Sequence, residues 1–144
     1  MCVIRFGGQD REFLAIHLLG RSNPQATGYY EGNWIDARVE IVAGGFRADV
    51  AGNLRGEELA DFYTEMLRLQ KRLRGTVHFS TMEAWLSVDV QGDGKGHMLF
   101  DCLIRDEPGI GNSLKCSLSL DQTHLNEPLK QLADALLLYK FIHS

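Results

Sequence analysis

Glycine-closed hairpins constrain this chain more than any other feature it carries. From Trp85 to Leu125 two follow in succession: Asp89-Val-Gln-Gly-Asp-Gly-Lys-Gly-His97 closes the first and Asp106-Glu-Pro-Gly-Ile-Gly-Asn112 the second. Leu114, Cys116, Leu118 and Leu120 then alternate with polar residues. Glycine reaches the backbone angles of a tight turn without steric cost, and a period of two sends successive side chains to opposite faces of a strand. The densest punctuation in the chain therefore predicts scaffold, and strands joined this tightly must run antiparallel.

The first half repeats the pattern. Ile35, Ala37, Val39, Ile41 and Ala43 share one face, and Asp36, Arg38 and Glu40 the other. Gly44-Gly45 makes a two-residue turn, after which Phe46, Ala48, Val50, Gly52 and Leu54 resume the phase. That turn sets the register: Ile41 opposite Ala48 and Val39 opposite Val50 inside, Glu40 opposite Asp49 outside. Upstream, the apolar run Phe13–Leu19, ended by Gly20, predicts a buried strand after a first one near Cys2 to Phe6, and residues 21–33, with Asn23-Pro24, predict a loop.

From Glu57 to Leu73 the period changes. Leu59, Phe62, Met66, Leu69 and Leu73 follow steps of three and four, acids crowd the first turn, basic residues the last, and Gly75 is the predicted stop. Val77 and Phe79 begin another strand, Ala84, Leu86, Val88 and Val90 the next, and Met98, Phe100, Cys102 and Ile104 return. Trp85, Leu99 and Leu103 are apolar on the opposite face, which predicts a sheet partly covered on both sides, by a helix for instance. A last helix is expected from about Asn126 to His143, with Asn126 as cap, Pro128 in its first turn, and Leu129, Leu132, Leu136 and Tyr139 as its buried stripe. The resulting class is α+β: about eight mostly antiparallel strands in a curved sheet or two packed sheets, with a central and a C-terminal helix, expected as one domain over residues 1–144.

Composition narrows the function classes. With 144 residues, 44% hydrophobic, the chain can bury one main core. A formal charge of -4 and a pI near 5.7 argue against an electrostatic grip on nucleic acid and suit a basic partner. The longest apolar run, Ala135–Tyr139, is far shorter than the roughly 20 residues that span a bilayer. The first residues lack the pattern of a secretory signal, so the cytoplasm is the expected compartment. Cys2, Cys102 and Cys116 show no CxxC spacing and read as reduced core residues. If the second hairpin pairs Ile104 with Leu114, however, Cys102 faces Cys116 and a cross-strand disulfide is open to the chain in an oxidising compartment.

Motifs for chemistry fail on spacing. Counted from Asp89, a calcium loop needs a bidentate glutamate where Phe100 stands, and helices where strands flank it. Lys95 is followed by glycine, which breaks the phosphate-loop pattern. His17, His78, His97, His124 and His143 form no metal-binding pair, and no serine sits in a nucleophile elbow. No catalytic residue, metal ligand or cofactor is assigned. The outer face of the Gly44-Gly45 hairpin is more informative: Glu40 and Asp49 are like charges directly opposed, with Trp34, Asp36 and Arg38 beside them. Two readings stay open, a solvated face on which Arg38 quenches the acids and an acidic patch that meets a partner.

Asn33-Trp-Ile-Asp-Ala-Arg-Val-Glu40, Gly44-Gly-Phe46, the Leu59 to Leu73 helix, Met82-Glu-Ala-Trp-Leu-Ser87, Gly92-Asp-Gly-Lys-Gly-His97, Arg105-Asp-Glu-Pro-Gly-Ile-Gly-Asn112 and Leu120-Asp-Gln-Thr-His-Leu125 together resemble the WapI-type family of small bacterial immunity proteins. The resemblance implies a cytoplasmic, non-enzymatic antitoxin that binds and blocks a toxin domain, in the WapI case a nuclease acting on tRNA. It supplies no catalytic residue to transfer. A competing expectation is a small-molecule-binding or enzymatic α+β domain with a cleft lined by His78, His97 and an acid.

Overall fold

Every alternating segment forms a strand in the computed structural model, which describes residues 2–143. Strands β1 (Cys2–Gln9), β2 (Glu12–Arg21), β3 (Trp34–Ala43) and β4 (Phe46–Arg55) make one antiparallel sheet in the order β1-β2-β3-β4. Strands β5 (Arg74–Ser80), β6 (Leu86–Asp93), β7 (His97–Arg105) and β8 (Ser113–Asp121) make a second in the order β5-β6-β7-β8. A helical turn, α1 (Tyr29–Gly32), interrupts the loop after β2; helix α2 (Gly56–Arg72) carries the chain between the sheets, and α3 (Asn126–Leu138) follows the second. Of the two architectures open to an α+β chain, this is the pair of packed sheets.

Register follows the turns. Gly44 takes a left-handed φ of 63°, and Ile41 faces Ala48, Val39 faces Val50 and Glu40 faces Asp49 as the turn length requires. In the last hairpin Ile104 faces Leu114 and Cys102 faces Cys116, with both thiols free. The inward side chains of both sheets and the helices join one buried cluster. At its centre Phe62 of α2 lies 5.7 Å from Phe6 of β1 and 4.8 Å from Phe79 of β5, and Phe6 reaches Phe100 of β7 at 5.2 Å, ring centre to ring centre.

Helix α2 is held by that burial. Leu59, Phe62, Met66 and Leu69 are buried, each contributing about 1.5–3 kcal/mol, whereas a surface pair such as Glu65 with Arg68 contributes only about 0.2–0.5 kcal/mol. The Glu58 carboxylate accepts the Arg55 backbone N–H at 2.7 Å, capping the helix start. Its end falls before the predicted glycine. Leu73 itself turns left-handed, with φ 61°, because its carbonyl accepts the Gly94 N–H at 2.7 Å and the chain must re-enter as β5.

Four other expectations are corrected. Ala84 does not begin a strand: it closes a turn back to Thr81 with φ 54°, and β6 starts at Leu86. The cause is Trp85, whose indole N–H donates to the Asn53 carbonyl at 2.8 Å. Its ring packs so close to Gly52 that a Cβ there would lie 2.5 Å from it. Trp85 thus belongs to the contact between the sheets. Among the described residues no helix covers the outer face of the second sheet, where Leu99 stays 38% exposed. The C-terminal helix stops at Leu138 and not at His143. There the buried Asn33 claims the next segment, donating to the Ile142 carbonyl and accepting its N–H, both at 3.0 Å. Asn126 is the first helical residue and not the cap; Asp121 caps the short 3-10 turn Gln122–Leu125 that leads into α3.

Candidate partner-binding surface

Strands β3 and β4 bring Trp34, Asp36, Arg38, Glu40 and Asp49 onto one outward face, because all occupy the same phase of one register. The opposed acids are met by two arginines and a histidine from three strands. Arg38 donates to both Asp49 oxygens at 2.9 and 3.0 Å, Arg47 donates to Glu40 at 2.8 Å, and the His17 Nε2 of β2 lies 2.7 Å from Glu40. Asp36 accepts from Ser22 at 2.6 Å and Asn53 at 2.7 Å. Arg38 quenches its neighbours and Arg47 adds to it, while the His17 ring hydrogen-bonds Glu40. Exposed pairs of this kind contribute about 0–1 kcal/mol each, so the network sets the charge of the face more than its stability. Trp34 lies at the edge of the face, its ring edge-on to Tyr30 at 6.1 Å and 5.0 Å from the Arg55 guanidinium.

The second sheet repeats the device. Asp89 and Asp101 are directly opposed on the outer face of β6 and β7, and the glycine hairpin that sets their register makes this legible by the test applied to Glu40 and Asp49. His78 Nδ1 lies 2.5 Å from Asp89, and Ser117 donates to Asp101 at 2.6 Å. Among the described residues no arginine or lysine forms an ion pair with either acid. A depression of about 490 Å³, lined in part by Asp89, Asp101, Leu103 and Lys115, opens over them.

A second depression, of about 610 Å³, is lined by Asp93, His97, Leu99, Asp121 and His124 among others. His78 is not among its lining residues, so the cleft required by a small-molecule reading, with His78 and His97 together, is not formed there. Its acids close their own turns. Asp93 accepts the N–H groups of Lys95 at 2.7 Å and His97 at 3.1 Å, and its other oxygen lies 2.8 Å from the His97 ring. This is the hairpin turn expected in place of a calcium loop, and among the described residues no three potential metal ligands gather.

The Lys95 N–H, then the His97 ring, hold the Asp93 carboxyl down from 3.8 to about 2. A depressed carboxyl stabilises the fold above its unfolded pKa and loses that contribution as pH falls toward its folded one. Wild type is therefore expected to exceed Asp93→Asn in urea midpoint at neutral pH, with the gap closing between pH 3.8 and about 2; a gap that persists at the acid end would show that the carboxylate is not its source.

The chain matches the model of the Immunity protein WapI-like family over residues 5–140. It belongs to that family. No curated protein matches it. Membership in an immunity family turns attention to surfaces that could meet another protein, and both outer sheet faces carry directly opposed carboxylates. No helix is long and apolar enough to cross a membrane among the described residues.

Proposed function

We propose that this chain is a non-enzymatic inhibitor that binds the toxin domain of a bacterial effector in the cytoplasm and blocks its working surface. The family match over residues 5–140 carries the reading. Charge supports it: a nuclease-type toxin needs a basic surface to hold a polyanion, and a protein of net charge -4 is drawn toward such a surface and can cover it.

The contact face we assign is that of Trp34, Asp36, Arg38, Glu40 and Asp49, with tryptophan and arginine as anchors of the type enriched at binding hot spots. A second reading, the outer face of β6 to β8, is favoured by its opposed acids, which among the described residues have no arginine or lysine partner. Charge reversal separates them. Asp36→Lys with Asp49→Lys is expected to slow association with the toxin domain by about tenfold at low salt and to flatten its salt dependence. Asp89→Lys with Asp101→Lys should leave it unchanged. The opposite pattern transfers the contact to the second sheet, and unchanged rates for both pairs across a salt series remove both faces. Glu40 is kept out of the test because, at 15% side-chain exposure between two arginines and the His17 ring, its reversal would disturb the fold as well as the partner.

A further inference from the structure

The two cysteines of the last hairpin are in position to bond. Cys102 on β7 and Cys116 on β8 are directly opposed, and their side chains lie on the core-facing side of the strands. The Arg105 N–H is given to the Trp85 carbonyl on the β6 side, so alternate β7 residues, Cys102 among them, turn their backbone groups toward β8. The Ser119 N–H confirms the phase from the other strand, since it points away from β7 to the Glu12 carboxylate at 2.5 Å. Cys102 and Cys116 are therefore a hydrogen-bonded pair, whose Cα atoms stand about 5.5 Å apart, inside the window of about 4.4–6.8 Å that a disulfide spans.

Their exposure differs in the way a two-step exchange requires. Cys102 is 4% exposed, while Cys116, on the edge strand, is only partly covered. We propose that Cys102 and Cys116 are a thiol–disulfide couple, closed by a small-molecule disulfide of the glutathione type, that staples edge strand β8 to β7. Cys116 loses its proton to water, and its thiolate attacks one sulfur of the reagent, forming a mixed disulfide and releasing one thiolate. Cys102 then attacks the Cys116 sulfur, expels the second thiolate and gives its own proton to solvent; the two cysteines are oxidised by two electrons and the reagent is reduced to two thiols. The Cys102 thiol donates to Cys116 and so eases Cys116 deprotonation, against the effect of burial. The same hydrogen bond, with burial, pushes Cys102 up, which makes the less buried partner the first to react.

The test is the folded chain incubated in glutathione buffers of increasing oxidised fraction, followed by alkylation and intact-mass and peptide analysis. Before alkylation the expected product is lighter than the reduced chain by two hydrogen atoms. It should yield one linked peptide joining Cys102 to Cys116, leave Cys2 alkylated, and revert with excess dithiol. Cys102→Ala should instead stop at a glutathione adduct on Cys116. A wild-type chain that stays reduced throughout, ends as that adduct, or links through Cys2 would overturn the proposal, and none of these outcomes depends on a variant folding.

Discussion

Truncating Arg55 to alanine is expected to cost on the order of 3 kcal/mol, read as a lower urea midpoint at unchanged slope. Arg55 ends β4 opposite Trp34 and is 1% exposed. Its guanidinium donates to the Tyr30 carbonyl at 2.6 Å and the Tyr29 carbonyl at 3.2 Å and to the Glu57 carboxylate. The rings of Tyr29, Tyr30 and Trp34 surround it at 5.3, 5.0 and 5.0 Å. One side chain thus ties α1, the start of β3 and the first turn of α2 together. Alanine removes the guanidinium donors from both carbonyls, leaving the Tyr29 carbonyl the Asn33 amide, breaks the ion pair of Glu57, which keeps the Tyr29 hydroxyl at 2.8 Å, and empties the cage. Lysine keeps the charge but cannot fork to two carbonyls, so Arg55→Lys should recover only part of the loss. In a chain of 144 residues the alanine variant should melt roughly 10 °C lower; a loss below about 1 kcal/mol would mean that the cage stands without its arginine.

Phe62→Ala is expected to cost about 3–5 kcal/mol. Phe62 is 2% exposed and lies against Phe6 and Phe79, one from each sheet, so its removal opens a void where α2 meets both. Packing cannot close such a void without moving a sheet. Leu137 on α3, 70% exposed, is the control: Leu137→Ala should stay within about 0.5 kcal/mol. Equal losses for the two would contradict the aromatic junction described for the core.

The contrast between these residues shows what the sequence makes legible. Strand faces and the register of the Gly44-Gly45 hairpin follow from alternation and turn length, so Glu40 opposite Asp49 is readable before any coordinates, and Cys102 opposite Cys116 once Ile104 is paired with Leu114. The same rule sets Trp34 opposite Arg55 and Asp89 opposite Asp101, pairs whose meaning emerges only with their surroundings. Illegible were contacts made once, by one residue, across long separations: Trp85 on Gly52, which pulls Ala84 out of the strand, and Asn33 on Ile142, which accompanies the end of α3. Such contacts leave no period behind. On the candidate face Arg38 could be anticipated as a quencher, since it shares β3 with Glu40; Arg47 and His17 could not, because they reach Glu40 from neighbouring strands.

The central claim is that this chain occupies another protein's working surface. It is tested most directly by titrating the chain into the purified C-terminal domain of the effector encoded beside it and following complex formation and toxin activity together. The account predicts a stable complex and loss of toxin activity in proportion to the amount of complex formed. A neighbourhood without an effector gene, or a toxin domain that neither binds the chain nor loses activity in its presence, would contradict it.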